Sequence, residues 1–256
     1  MTVRRALLDA AGRYDEHAHR ADYYHQRRAD AIAAGETRLS SGERPGLVFH
    51  LVPESAFAGD TAVSIPDDVG EGGYLPVLAR GEGEVTFTAD GVVAHCTSYG
   101  VTGAYVRVSR NGIVEASSHA FFTGYEDDDR TRLPATTFES AFVAGVREYL
   151  AFLEVLGVRT PVRLVLSLVN VSGVDLVHSP EEGPYVRENF PGDRVEPLGV
   201  TLRSYDGDPH EERLGPLVDA VWNAAGIDGS HERRSSSRDA TDDRPGREMD
   251  STRPDA

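Results

Sequence analysis

Nine histidines, one cysteine and 26 basic residues carry most of the chemistry open to this chain, and their spacing limits what they can do together. His17 and His19 lie two apart in a stretch of helical pattern, so they point in different directions and cannot chelate one ion. His25 is eight residues from His17 and six from His19, again not the four-apart spacing of paired helical ligands. A solvated helix face is the expectation for all three. His95 and Cys96 are neighbours in a strand pattern and face opposite sides, one of them expected inside. His50, His119 and His178 stand alone in the sequence. No metal site is expected.

Other catalytic signatures are missing or incomplete. Ser118-His119 has no G-x-S-x-G around it, here or anywhere in the chain. Gly81-Glu82-Gly83 opens like a dinucleotide loop but lacks the third glycine and leads into a strand pattern. All 26 basic residues are arginine, so neither a Walker A lysine nor a Schiff-base lysine exists. The acidic run Glu126 to Asp129 lacks EF-hand spacing. Asn170-Val171-Ser172 matches a glycosylation sequon but ends a core strand pattern. No cofactor is expected and no catalytic residue is assigned. Tyr105, Arg107 and Arg110 are the binding candidates: an aromatic–cationic group on one hairpin, able to read a carboxylate, a phosphate or a partner's surface. The competing expectation is that they pair with the surplus acids.

That surplus is large. The formal net charge is −16 with an isoelectric point near 4.9. Acid without lysine suits a protein kept hydrated in concentrated salt, a GC-rich genome being the alternative cause. It argues against direct nucleic-acid binding, which needs clustered cations. Cys96 has no partner for an internal disulfide. The start has no signal-peptide run, and no stretch approaches the ~18 apolar residues of a membrane span. A cytoplasmic protein is expected.

The elements that must position these side chains follow from periodicity. At 256 residues the chain holds one domain of about 200 residues plus a tail. Phe138, Phe142, Val146, Tyr149, Leu153 and Leu156 recur at helical spacing and predict one long packing helix. Thr136 or Thr137 is expected to cap it, and Gly157 to close it. Residues 162–169 then read as a buried strand. Residues 2–34 read as a helix, its second half facing solvent except for a stripe docked through Tyr24 and Ile32. Strands are expected at 47–53 and at 198–204, with at most two short ones in the Gly-, Pro- and acid-rich stretch 54–82, near Val63 and near Tyr74 to Leu78. Residues 84–98, turning at Asp90-Gly91, and 103–122, turning at Asn111-Gly112 in a type I′ turn, predict consecutive hairpins. Residues 125–134 and 172–197 read as loops, 213–226 as an amphipathic C-terminal helix. The fold class is α+β: a mainly antiparallel sheet of meander hairpins packed by one long helix, with an N-terminal and a C-terminal helix. The expected divisions are a linking helix at 1–36, the domain at 37–227, and a disordered tail at 228–256.

Four pieces recur together in one family: QRRADAIAAGETRL, LVFHLVPESAF, YVRVSRNGIVEA and REYLAFLEVLGVRTPVRLVLSLVNVSGVDL. Through them, over roughly residues 20–178, the chain resembles the C-terminal region of prokaryotic proteins whose N-terminal part is a Schlafen-like, Alba-related DNA-binding domain. Those proteins are described as ATP-binding or transcriptional-regulator-like. The N-terminal domain has no counterpart here, so its nucleic-acid or nucleotide binding does not carry over, and no catalytic residue maps across. The resemblance implies a non-catalytic interaction or accessory module, acting with a partner that carries a DNA- or nucleotide-binding domain, or with a second copy of itself. The alternatives are an enzyme using the 172–197 segment and His178, and a regulator that touches DNA directly.

Overall fold

The computed structural model describes residues 3–37, 43–59, 62–67, 69, 75–98, 101–125, 128–178, 186–205 and 210–229. Among them are three α-helices, α1 (Val3–Ala33), α2 (Ala135–Val155) and α3 (His210–Ala224), and two sheets. The larger sheet comprises β1 (Gly46–Pro53), β2 (Glu84–Thr88), β3 (Gly91–Ser98), β4 (Val101–Ser109), β5 (Val114–Ser118), β8 (Val162–Val169) and β11 (Arg194–Leu202). Its order is β11-β8-β1-β5-β4-β3-β2, antiparallel throughout. The smaller sheet comprises β6 (Thr123–Tyr125), β7 (Asp128–Pro134), β9 (Asp175–His178) and β10 (Val186–Asn189), in the order β10-β9-β7-β6. Only its β7–β9 pair is parallel. The fold is α+β with a mainly antiparallel sheet.

Alternation along β1 and β8 sends one set of side chains to each face of the sheet. Leu47, Phe49 and Leu51 join Leu164, Leu166 and Leu168 in a core that meets α2 and α3. The apolar face of α2 packs there, with Phe142 edge-on to Phe49 at 5.0 Å and stacked on Phe138 at 5.7 Å. Pro134, not a threonine, occupies the N-cap of α2 and makes no side-chain cap; Thr136 and Thr137 fall inside the first turn. The far end closes as expected. Gly157 takes φ 70°. Its N–H reaches Glu154 O at 2.9 Å, and that of Val158 reaches Leu153 O at 3.0 Å, the paired bonds of a Schellman ending.

The other face of β11, β8 and β1 is covered by α1. His17, Ala21, His25, Ala29 and Ile32 form its buried stripe, and Tyr24 is half-buried beside them. Asp22 accepts from Arg163 Nε at 3.0 Å and Nη2 at 2.9 Å, and Asp30 pairs with Arg194. From Glu16 onward, the segment expected to link domains is a packed layer, so the larger sheet lies between α1 and α2 with α3.

Several local expectations differ from the structure. Around Asn111 the hairpin is a type I turn followed by a bulge. The Gly112 N–H bonds Ser109 O at 2.8 Å, and the Ser109 N–H bonds Ile113 O at 2.9 Å. In this turn only Gly112 takes positive φ, 85°, so the three-residue loop needs one left-handed residue where type I′ needs two. Thr88 pairs with Gly91, which puts the preceding turn at Ala89-Asp90. The acidic segment 125–134 belongs to the β6–β7 hairpin, and 172–197 contains β9, β10 and the start of β11. Between 54 and 82, where at most two short strands were expected, the described residues hold one 3₁₀ turn, Glu54–Phe57, and a single bridge from Val77 to Gly81; Tyr74 lies outside the described residues. Ile227 is buried and Gly229 lies under Trp222; the expected tail from residue 230 on lies outside the described residues.

Phe142→Ala removes a ring packed against two others in the core and is expected to cost about 3–5 kcal/mol. Val155→Ala, at a position 67% exposed, should change stability by less than about 0.5 kcal/mol. Urea unfolding of both variants at one salt concentration checks the contrast.

Candidate functional site

All five residues of β5 are buried. One of them is a carboxylate. Glu115 points toward α1 and is 1% exposed, a position where an unpaired charge would cost several kcal/mol. Strand register supplies its partners, placing His50 of β1 and Arg107 of β4 directly across from it on either side. The His50 Nε2 donates to Oε2 at 3.0 Å, and the Tyr105 hydroxyl donates to Oε1 at 3.0 Å. From above, Arg28 of α1 grips both oxygens, Nε to Oε2 at 2.6 Å and Nη2 to Oε1 at 2.8 Å. The Arg107 Nη2 stands 3.5 Å from Oε2 and donates to the Tyr24 hydroxyl at 3.3 Å.

The polar chain continues inward. His25 Nδ1 meets His50 Nδ1 at 2.8 Å, and His25 Nε2 meets Ser167 Oγ at 2.8 Å. An ionised Glu115 accepts only, so His50 must carry its proton on Nε2. Burial keeps both rings neutral, and then His50 Nδ1 is an acceptor, His25 donates from Nδ1, and Ser167 donates to the bare Nε2 of His25.

The titration directions agree with this order. Burial, then the neighbouring His50, holds His25 well below its usual 6.5. Burial likewise lowers His50, outweighing the opposing hydrogen bond to Glu115. Burial pushes the Glu115 carboxyl up, but hydrogen bonds from Arg28 and His50 and the charge of Arg107 overcome it and hold the group well below the carboxylate range. The Tyr105 phenol is raised, by burial first and then by Glu115.

Beyond β5 the helix no longer covers the sheet. Between Arg28 and Ala31 of α1 and the strands β4, β3 and β2 lies a cavity of about 630 Å³, with Tyr105, Arg107 and Glu115 at its inner side. That volume falls within the range of small-molecule sites, about 300–1,000 Å³.

Tyr105 and Arg107 thus come together at Glu115, whereas Arg110 does not join them. It sits exposed on the β4–β5 turn, its Nε donating to Ala89 O at 3.0 Å. The solvated helix face expected for His17 and His25 is wrong for both. They lie on the stripe that faces the sheet, His17 donating from Nε2 to Val52 O at 3.1 Å, and only His19 is exposed. His95 and Cys96 do face opposite sides, but both are half-buried, the first lining the cavity and the second against the core. His119 donates to Pro45 O at 2.6 Å. His178 contacts the Thr136 hydroxyl at 3.3 Å and lies edge-on to Trp222 at 5.0 Å. Among the described residues no cluster of three or more His, Cys, Asp or Glu is arranged to hold a metal ion, and no helix is long and apolar enough to cross a membrane. Sequence reasoning missed Glu115, Arg28, Ser167 and the His25–His50 contact. No family model matches the chain, nor does any curated protein or solved structure.

Acid should undo this site from the histidines downward. Unfolded, His17, His25 and His50 take up protons near pH 6.5, while in the fold all three titrate lower. The unfolded chain then binds more protons, so stability falls as pH drops below about 7, by up to ~1.4 kcal/mol per pH unit per histidine. Glu115, also depressed in the fold, adds a further loss below about pH 4.5. Urea unfolding from pH 8 to 4 at fixed ionic strength should show this slope, and the His25→Gln/His50→Gln double variant should make it shallower between pH 7 and 5, His17 and His119 keeping the remainder.

Proposed function

We propose that the protein is a non-catalytic interaction module that docks a protein partner on the outward face of α1. The observation that carries this reading is where the acid–base groups lie. Ser167, His25 and His50 have no exposed surface, so the one serine–histidine chain of the site stands where no substrate reaches it. The residues that do reach solvent are arginines and aromatics. Arg20, Tyr23, Arg27 and Phe57 border an open groove of about 410 Å³, with the Arg20 guanidinium 4.5 Å from the Phe57 ring centroid and Tyr23 58% exposed. Two acids of the same helix, Asp22 and Asp30, are already held by Arg163 and Arg194, and Glu16 lies 4.0 Å from Arg20, so Arg27 is the arginine that leaves this face with net positive charge on a chain of net −16. Arginine beside tyrosine is the composition of binding hot spots.

An acidic surface on the partner complements such a face. A partner bearing a DNA- or nucleotide-binding domain, met in the cytoplasm, fits the resemblance to the Schlafen-like, Alba-related proteins. Tyr23→Ala combined with Arg27→Glu removes the exposed ring and reverses one charge without touching a buried group. In a pull-down in potassium chloride, wild type should hold a stoichiometric partner of that kind, and the variant should retain at least tenfold less. Equal retention by both, or a wild-type eluate without such a partner, would contradict the reading.

A further inference from the structure

We infer that the cavity between α1 and the uncovered strands β2–β4 is a binding site for a small-molecule carboxylate, anchored on Arg107. The argument starts from the acceptor capacity of Glu115. A carboxylate offers about four lone-pair sites, and Arg28, His50 and Tyr105 fill them with four contacts of 2.6 to 3.0 Å. Arg107 is left at 3.5 Å, too long for a hydrogen bond of good geometry. Its Nε has no partner at all, although it is buried. Two guanidiniums thus face one carboxylate, and the adjoining histidines are neutral. The inner side of the cavity holds one positive charge more than its own residues neutralise, on a side chain only 26% exposed. A half-desolvated guanidinium with unused donors is matched by a planar anion that takes two parallel N–H bonds.

Strand register defines the rest of the ligand. Arg107 pairs with Val93, and Val93 with Thr86, so the three form one row across the open sheet. Two strand spacings, roughly 10 Å, separate the ends of that row. A carboxylate at Arg107 would lay a short apolar body over Val93 and end near the Thr86 hydroxyl. One surplus charge suits a monoanion. Asp90 and Glu36 also line the cavity and bring its whole lining to one net negative charge, so they oppose a phosphate dianion more strongly than a monoanion held against Arg107. The site does not depend on partner docking at the outer face of α1.

The test is a titration of the full chain with hexanoate, hexanamide and hexyl phosphate at pH 7 and fixed ionic strength, followed by NMR at the Arg107 Nε–H. Hexanoate should give a saturable shift, and hexanamide and hexyl phosphate should each bind at least tenfold more weakly. Arg107→Gln should weaken hexanoate at least tenfold, and Arg110→Gln should leave it unchanged. Thr86→Trp, at an exposed position, fills the cavity without altering the charges and should also abolish binding. Absence of a saturable hexanoate shift, equal binding of hexanamide, tighter binding of hexyl phosphate, or binding unaffected by Thr86→Trp would each overturn the inference.

Discussion

A carboxylate that must stay ionised inside a β-sheet is the constraint on which the rest of this structure turns. Glu115 sits on the central strand with 1% of its surface exposed. Its burial is tolerable only because a bidentate arginine, an imidazole and a phenol all direct donors at it. Two of those side chains, His50 and Tyr105, come from the sheet, but Arg28 comes from α1. The helix is therefore not an ornament on the domain. Lifting it off would leave Glu115 without its main counter-charge and would expose Ala21, Ala29 and Ile32 together with the apolar patches they cover.

The same constraint explains the uneven covering of the sheet. α1 is pinned at β11 and β8 by Arg194–Asp30 and Arg163–Asp22, and over β5 by Arg28–Glu115. Three anchors along one helix set its course over the β11–β5 half, which leaves β4, β3 and β2 open beside it. Because Glu115 is already satisfied, Arg107 meets that open half with donors to spare. The result is an under-neutralised guanidinium at the inner side of that cavity.

Elements with one strong period were legible in the sequence, and contacts between distant segments were not. The five-turn apolar face of α2, its glycine ending and the hairpins around Asp90 and Asn111 depend on neighbours in the chain, so pattern alone finds them. Glu115 was hidden because it reads as one acid among 42 in an acidic protein. Its signal was present in the partners. His50 interrupts the apolar run LVFHLV and Ser167 interrupts VRLVLSLV, and a polar residue inside a buried strand needs a partner on the facing layer. On α1, His17, Ala21, His25, Ala29 and Ile32 recur three or four apart, which marks them as one stripe. What pattern could not supply was that these stripes face each other, since His25 and Ser167 are 142 residues apart. The β6–β7 and β9–β10 strands were missed for a related reason: they are short, rich in Gly, Asp and Arg, and ordered by the smaller sheet and not by local propensity.

The most direct test of the central claim is the protonation state of the two buried imidazoles, read from their ¹⁵N chemical shifts at pH 7. An ionised Glu115 places the proton of His50 on Nε2, and burial keeps both rings neutral, which leaves the proton of His25 on Nδ1. An imidazolium at either position, or His50 protonated on Nδ1, would contradict it.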